Sequence, residues 1–202
     1  MARPRADAHA IPTRVRILTA AEEVFGEHGY VDARLEDIAG IAGIRRPSLL
    51  YHFRSKDLLY TEVVHQLFAA LRQVFDDAVR PAGTFEDRLL TLMQAYLDFI
   101  AARPAFAPLV LREIIRGDKA SPVHQILLGE LVPLLDWVEV WINNTGGTSI
   151  TPGLPVRSAI LHLGSNALVH AASGPLQEPL WGPSSGLLTM TRCLFLGRAT
   201  EK

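Results

Sequence analysis

The segment that most limits how this chain can fold is Ile38-Ala39-Gly40-Ile41-Ala42-Gly43-Ile44-Arg45-Arg46-Pro47-Ser48-Leu49-Leu50-Tyr51-His52-Phe53. Apolar positions 38, 42, 44 and 49 surround a small Ala39, and Gly43 follows four residues later. This spacing predicts two short helices crossing at a tight turn. Ala39 is small because the second helix packs across it. Gly43 can adopt φ > 0, which ends the first helix and redirects the chain. Ile44 and Leu49 then face the first helix, and Arg45, Arg46, Ser48, Tyr51 and His52 are left outside. An exposed second helix with basic and hydroxyl groups near its N-terminus suits the major groove of DNA.

The flanking sequence agrees. Thr13 to His28 carries Ile17, Leu18, Ala21, Val24 and Phe25 on one helical stripe, with Thr13 placed to cap the start and Gly29 the end. Ser55-Lys56-Asp57 opens another helix, Ser55 as cap and Asp57 in the favourable first turn. Three helices and the start of a fourth fit within about sixty residues.

With these residues in view, the chain resembles the TetR family of transcriptional regulators. The resemblance is carried by Ala20-Ala21-Glu22-Glu23-Val24-Phe25-Gly26-Glu27-His28-Gly29-Tyr30, by Leu35-Glu36-Asp37-Ile38-Ala39 and Ala42-Gly43-Ile44, and by Leu49 to Leu59. Beyond about residue 60 only length and helical pattern match. The resemblance implies a homodimeric regulator, most often a repressor released by a small molecule. Two departures stand out. Ala33-Arg34 replaces the hydroxyl residue that commonly precedes the second helix, so Arg34 would reach phosphate by charge. Arg45, Arg46 and Pro47 replace a serine start to the third helix. Pro47 is tolerated in a first turn, where its missing N–H has no partner. Arg45 and Arg46 can donate to guanine O6 and N7 or clamp phosphates, and the sequence leaves both open. The expected DNA-binding set is Arg34, Arg45, Arg46, Pro47, Ser48, Tyr51, His52 and Lys56, with Tyr51, His52 and Lys56 mostly on phosphates.

The net charge of −1 conceals a strong asymmetry. Residues 34–56 hold five basic groups against Glu36 and Asp37, and residues 1–16 hold four arginines against Asp7. Residues 61–202 carry 11 basic and 13 acidic groups. Positive charge therefore gathers where the helix-turn-helix lies. With 49% hydrophobic residues in 202, the chain can bury a substantial core. No apolar stretch approaches the roughly 18 residues of a membrane span and no secretory signal is visible, so a soluble cytoplasmic protein is expected. The single Cys193 fits a reducing compartment and is expected to be buried.

After residue 57 the pattern is helical throughout: Asp57 to Arg80, Thr84 to Arg103 behind a Thr84/Asp87 capping box, a short helix to Arg116, Ser121-Pro122 to about Asn143, then about 154–173 and 184–199. Asn143 to Gly153 reads as a loop. The expectation is an all-α protein of nine helices. Residues 1–56 form a three-helix DNA-binding head, with residues 1–12 as an arm, and residues 57–202 form a helical regulatory and dimerisation body. The last two helices are expected to pair with a second copy through Leu161, Gly164, Ser165, Leu168, Ala171 and Ala172.

Met93, Phe106, Trp137, Trp141, His162, Asn166 and His170 are the candidate lining of an effector pocket, although the same residue types line ordinary cores. His162 and His170 lie about 12 Å apart along one helix, too far to share a metal. No metal site or cofactor is expected. No phosphate-binding glycine loop, nucleophile elbow or zinc-binding helix motif is present, which speaks against an enzyme. The expected partners are a near-palindromic duplex operator, a second copy of the chain and a small, largely apolar effector, with no membrane. Control by a protein partner, or activation of transcription, is the alternative.

Overall fold

The computed structural model describes residues 11–116, 122–182 and 186–197. They form α1 (Thr13–Asp32), α2 (Leu35–Ile41), α3 (Arg46–His52), α4 (Lys56–Val79), α5 (Phe85–Ala102), α6 (Phe106–Arg116), α7 (Pro122–Gly146), α8 (Val156–Ala172), α9 (Gln177–Trp181) and α10 (Leu187–Leu196). No strand occurs among the described residues. The expected arm falls almost wholly on residues 1–10, and the cap Ser121 within 117–121, both outside the described residues.

The head assembles as the apolar pattern requires. Ile17, Leu18, Ala21, Val24 and Phe25 of α1 are buried against Ile38, Ala39, Ala42 and Leu49. Each large apolar side chain removed from water contributes roughly 1.5–3 kcal/mol. Gly43 has φ +66°. Ile44 N–H donates to the Ala39 carbonyl at 2.9 Å and Gly43 N–H to the Gly40 carbonyl at 3.1 Å. Both bonds of a glycine-terminated helix end are thus made, with Ile44 folded back on Ala39.

Helix α1 departs from expectation at both ends. Pro12, not Thr13, holds the capping position, and no side chain caps the helix. Gly29 adopts φ 74°, as its place predicts, but the chain resumes helical geometry as far as Asp32. The Ser55 hydroxyl accepts from Leu58 N–H, and the capping box of Thr84 and Asp87 is complete.

In the body, α4 packs against α5 and α7, and α8 against α6, α7 and α10. Three readings of the sequence need correction. Helix α7 continues through Gly146, and residues 147–149 add a 3₁₀ turn, because Ile142 is buried and Gly146 sits under Ile150 and Phe85. Tertiary packing there outweighs the poor helix propensity of Asn143 and Asn144. Helix α9 lies inside the expected Pro/Gly break, so the described residues hold ten α-helices where nine were expected. Cys193 is exposed, because α10 buries Leu187, Thr191 and Phe195 on its other side.

Candidate nucleic-acid interface and body cavity

The turn at Gly43 holds α3 across α2 through buried Leu49, so every other expected contact residue of α3 points outward. Arg34, Arg45, Arg46, Pro47, Ser48, Tyr51 and His52 are all exposed. Tyr51 is 86% exposed, with its ring edge-on to His52 at 5.6 Å. A large aromatic group left this open is unusual unless something covers it. Pro47, Ser48, Tyr51 and His52 bound one shallow recess with Thr13 and Ile44.

The two arginines at the start of α3 differ. Arg46 Nε lies 3.1 Å from Glu36 Oε1, both side chains more than half exposed, so this pair adds little stability but holds Arg46 toward α2. Arg45 has no ion pair among the described residues. Lys56 is only half-exposed. Its ammonium donates to the Val31 carbonyl at 3.0 Å and sits 4.7 Å above the Tyr30 ring. Burial lowers its pKa, partly opposed by Asp32 and Asp57. Lys56 therefore fastens α4 to the end of α1 whatever it does toward phosphate. Tyr30 completes that joint by donating to Asp57, and burial with this bond raises its phenol to about 12.

The head meets the body along α1. Phe25, Tyr30 and Tyr60 pack ring against ring at 5.0–6.3 Å. Arg14 pairs with Glu62 at 2.7 Å and Arg103 with Glu22 at 3.0 Å. The second contact is with α6. A Cβ on Gly26 would come within 2.5 Å of the Ala105 Cβ, so α1 and the start of α6 touch backbone to backbone. Arg112 reaches across to the carbonyls of Phe25 and Gly26, both at 3.4 Å, and of Glu27 at 3.0 Å. A cation placed on the last carbonyls before Gly29 is favoured by their partial charge. The neighbouring Glu113 is 6% exposed. Burial raises its pKa, and Arg116, His124 and Arg112 offset this only in part.

The body encloses a cavity of about 140 Å³ between α4, α5, α6, α7, α8 and α10. Its walls include Phe75, Met93, Tyr96, Phe106, Val138 and Leu163. No charged side chain contributes to the wall. Of the seven expected lining residues, the structure brings Met93 and Phe106 into the cavity and leaves five outside. Trp137 stacks on Phe75 at 6.3 Å under the Arg72 guanidinium, and Trp141 lies against Phe85 at 5.8 Å. His162 is exposed, Asn166 is half-buried, and His170 packs edge-on to Trp181 at 5.4 Å. Sequence reading missed Tyr96, Thr191 and the aliphatic wall, since apolar residues beside a void show the same helical period as those in a filled core. It also missed Arg112, whose only signal was a basic residue inside an apolar helix. Among the described residues, no cluster of His, Cys, Asp or Glu could hold a metal ion, and no helix is long and apolar enough to cross a membrane.

Comparison with known proteins bears on both regions. Residues 17–63 match the family described as bacterial regulatory proteins, tetR family. The chain is 30% identical over 123 residues to the transcriptional regulator RutR of Escherichia coli, covering 59% of this chain and 55% of RutR. It is 37% identical over 87 residues to the transcriptional activator FasR of Mycolicibacterium smegmatis, covering 43% and 40%. The chain thus spans about half the length of the curated relatives it matches. In fold it is similar to the regulator FadR of Bacillus subtilis, solved in complex with stearoyl-CoA. That match has a TM-score of 0.69 and 17% identity, and it covers 91% of this chain and 98% of that one. The match over 17–63 takes in α2, α3 and the turn between them, and the structural likeness extends through the body.

Proposed function

We propose that the chain, whose residues 17–63 match the tetR family, is a homodimeric, sequence-specific repressor whose hold on a near-palindromic operator is relieved by a small, largely apolar effector. The observation that carries this reading is the outward-facing α3, set across α2 by the Gly43 turn and the buried Leu49, at the end of a body that holds an apolar cavity. In this reading residues 1–56 bind duplex DNA and 57–202 regulate and dimerise, and the protein acts in the cytoplasm. Each α3 enters a major groove, the two about 34–36 Å apart. Arg45, Arg46, Pro47 and Ser48 lie nearest the bases, while Arg34, Tyr51, His52 and Lys56 hold the backbone.

A second copy would cover α8 and α10. Leu161, Val169, Leu188 and Met190 leave apolar surface there, each 37–46% exposed. Pairing these faces buries them and fixes the distance between the two heads.

Relief follows from the construction of α6. Phe106, Val110 and Ile114 line the cavity, while Arg112, on the other side of the same helix, grips the end of α1. A volume of about 140 Å³ is below the ~300–1,000 Å³ common for ligand sites, so an effector must displace a wall. Helix α6 has 11 residues and α4 has 24, which makes α6 the easier wall to move. Helix α4 runs from the head at Lys56 past the cavity at Phe68, Leu71 and Phe75, and offers a second route. A tenfold loss of operator affinity requires about 1.4 kcal/mol of coupling.

The test is a linked equilibrium. Operator affinity should fall over the same effector concentrations that change emission from Trp137, which touches the cavity through Phe75. Bound operator should weaken effector binding by the same factor. Unequal factors would reject the scheme. No response to a broad metabolite panel would favour control by a protein partner.

A further inference from the structure

We infer that Arg46 reads a guanine in each operator half-site, that Glu36 is the positioning residue that aims it, and that the adjacent Arg45 clamps a phosphate. This divides the labour of the two arginines at the start of α3, and it rests on the proposal that α3 enters the major groove.

Both partners of the pair stand on anchored helices. Glu36 lies in the first turn of α2, which is held by buried Ile38 and Ala39. Arg46 opens α3, which is held by buried Leu49. The Gly43 turn, closed by the Ile44 N–H on the Ala39 carbonyl, sets one helix against the other. The carboxylate therefore meets the guanidinium at a separation fixed by the helix crossing and not by a loop.

Glu36 Oε1 stands 3.1 Å from Nε of Arg46, so the carboxylate occupies the inner end of the guanidinium. The terminal nitrogens Nη1 and Nη2 make no hydrogen bond among the described residues. Two adjacent donors on one rigid plane match guanine, which presents O6 and N7 side by side in the major groove. Adenine places a donor where guanine has O6 and is refused.

Charge separates base reading from phosphate clamping. A clamp works through net positive charge that displaces counterions. Glu36 and Arg46 together carry no net charge, and a carboxylate beside α3 repels phosphate. The pair adds little to sequence-independent attraction, yet it keeps directional donors. Arg45 has no ion pair among the described residues, so its charge is undiminished and nothing fixes its plane. That suits a phosphate contact, which needs charge more than aim.

The experiment uses the full chain and the duplex it enriches from a random library. Each guanine of the half-site is replaced in turn by deazaguanine, which lacks the N7 acceptor. One symmetric position should cost the parent about tenfold in affinity. In Arg46→Ala the same replacement should cost less than about twofold, since the contact is already gone. Glu36→Ala should lower the preference for guanine over adenine there by at least about fivefold, while affinity for an unrelated duplex rises. Glu36→Gln removes the same charge but keeps an oxygen facing Nε, so it should retain most of the preference. Arg45→Ala should weaken all duplexes about equally and lower the salt slope by about one per protomer. Unchanged melting temperatures would confirm that each exposed substitution leaves the fold intact.

A deazaguanine penalty that persists in Arg46→Ala, or vanishes in Arg45→Ala, would overturn the assignment of the reader. Guanine preference unchanged in Glu36→Ala, with only a general rise in affinity, would reduce Glu36 to a repelling charge and overturn its positioning role. If the parent enriches no sequence at all, the reading of α3 falls first and this inference with it.

Discussion

Two single residues carry arguments that a substitution can settle. Gly43 has φ +66° at the only turn that sets α3 across α2, and Arg16 Nη1 stands 3.4 Å from where a Cβ would lie. Gly43→Val should cost on the order of 1–3 kcal/mol in the head, because a β-branched residue is poorly accommodated there. DNA binding should fall sharply while helicity and dimerisation of the body persist. A dimer with undiminished DNA affinity would remove the turn argument. Glu113 is the second case. Its raised pKa means the folded state prefers the neutral acid. The resulting stability is fully present below the ordinary glutamate value near 4.3 and is lost as pH rises through the raised folded value. Glu113→Gln should therefore melt higher than the parent at pH 7.5, each ~1 kcal/mol registering as about 2–4 °C, with the gap closing by pH 4. A gap independent of pH would contradict the burial argument. Gly43 was legible in the sequence because its spacing from Ala39 admits few structures. Glu113 was not, since nothing local says which side of α6 is covered.

Among the elements, α6 is the one that the proposed scheme makes the link between head and body. Arg112→Met keeps an unbranched apolar stem and removes the three donations to the carbonyls of Phe25, Gly26 and Glu27. The variant should fold and bind effector alone within about threefold of the parent, while the coupling between effector and operator shrinks toward unity. Coupling unchanged from the parent would shift the transmitting role to α4. Caps behave more simply: Ser55→Ala should destabilise the protein by about 1 kcal/mol, measured by denaturant unfolding. The Ser55 and Thr84 caps could be read from sequence because a cap is a contact between residues three apart. The continuation of α7 past Asn143 could not, because it depends on Phe85 and Ile150 closing over Gly146. The five-residue α9 offers too short a period for any pattern to register, and the exposure of Cys193 depends on which stripe of α10 the other helices cover.

At the scale of the molecule, the division of charge and of apolar surface follows one plan. Basic groups gather on the head, the body is slightly acidic, and α8 and α10 keep apolar side chains exposed, the surface proposed to meet a second copy. The helical class and the buried stripe of α1 were plain in the sequence, because solvent exposure alone imposes them. The cavity was not. Only Met93 and Phe106 of its expected lining reach it, since a void is defined by where six helices fail to meet. The central claim is that paired α3 helices read a symmetric duplex. Selection of bound sequences by the purified chain from a random duplex library tests it most directly. The account predicts an enriched two-fold-symmetric motif with half-sites about one helical turn, 10–10.5 base pairs, between centres. Recovery of no preferred sequence, or of a single unpaired half-site, would contradict it.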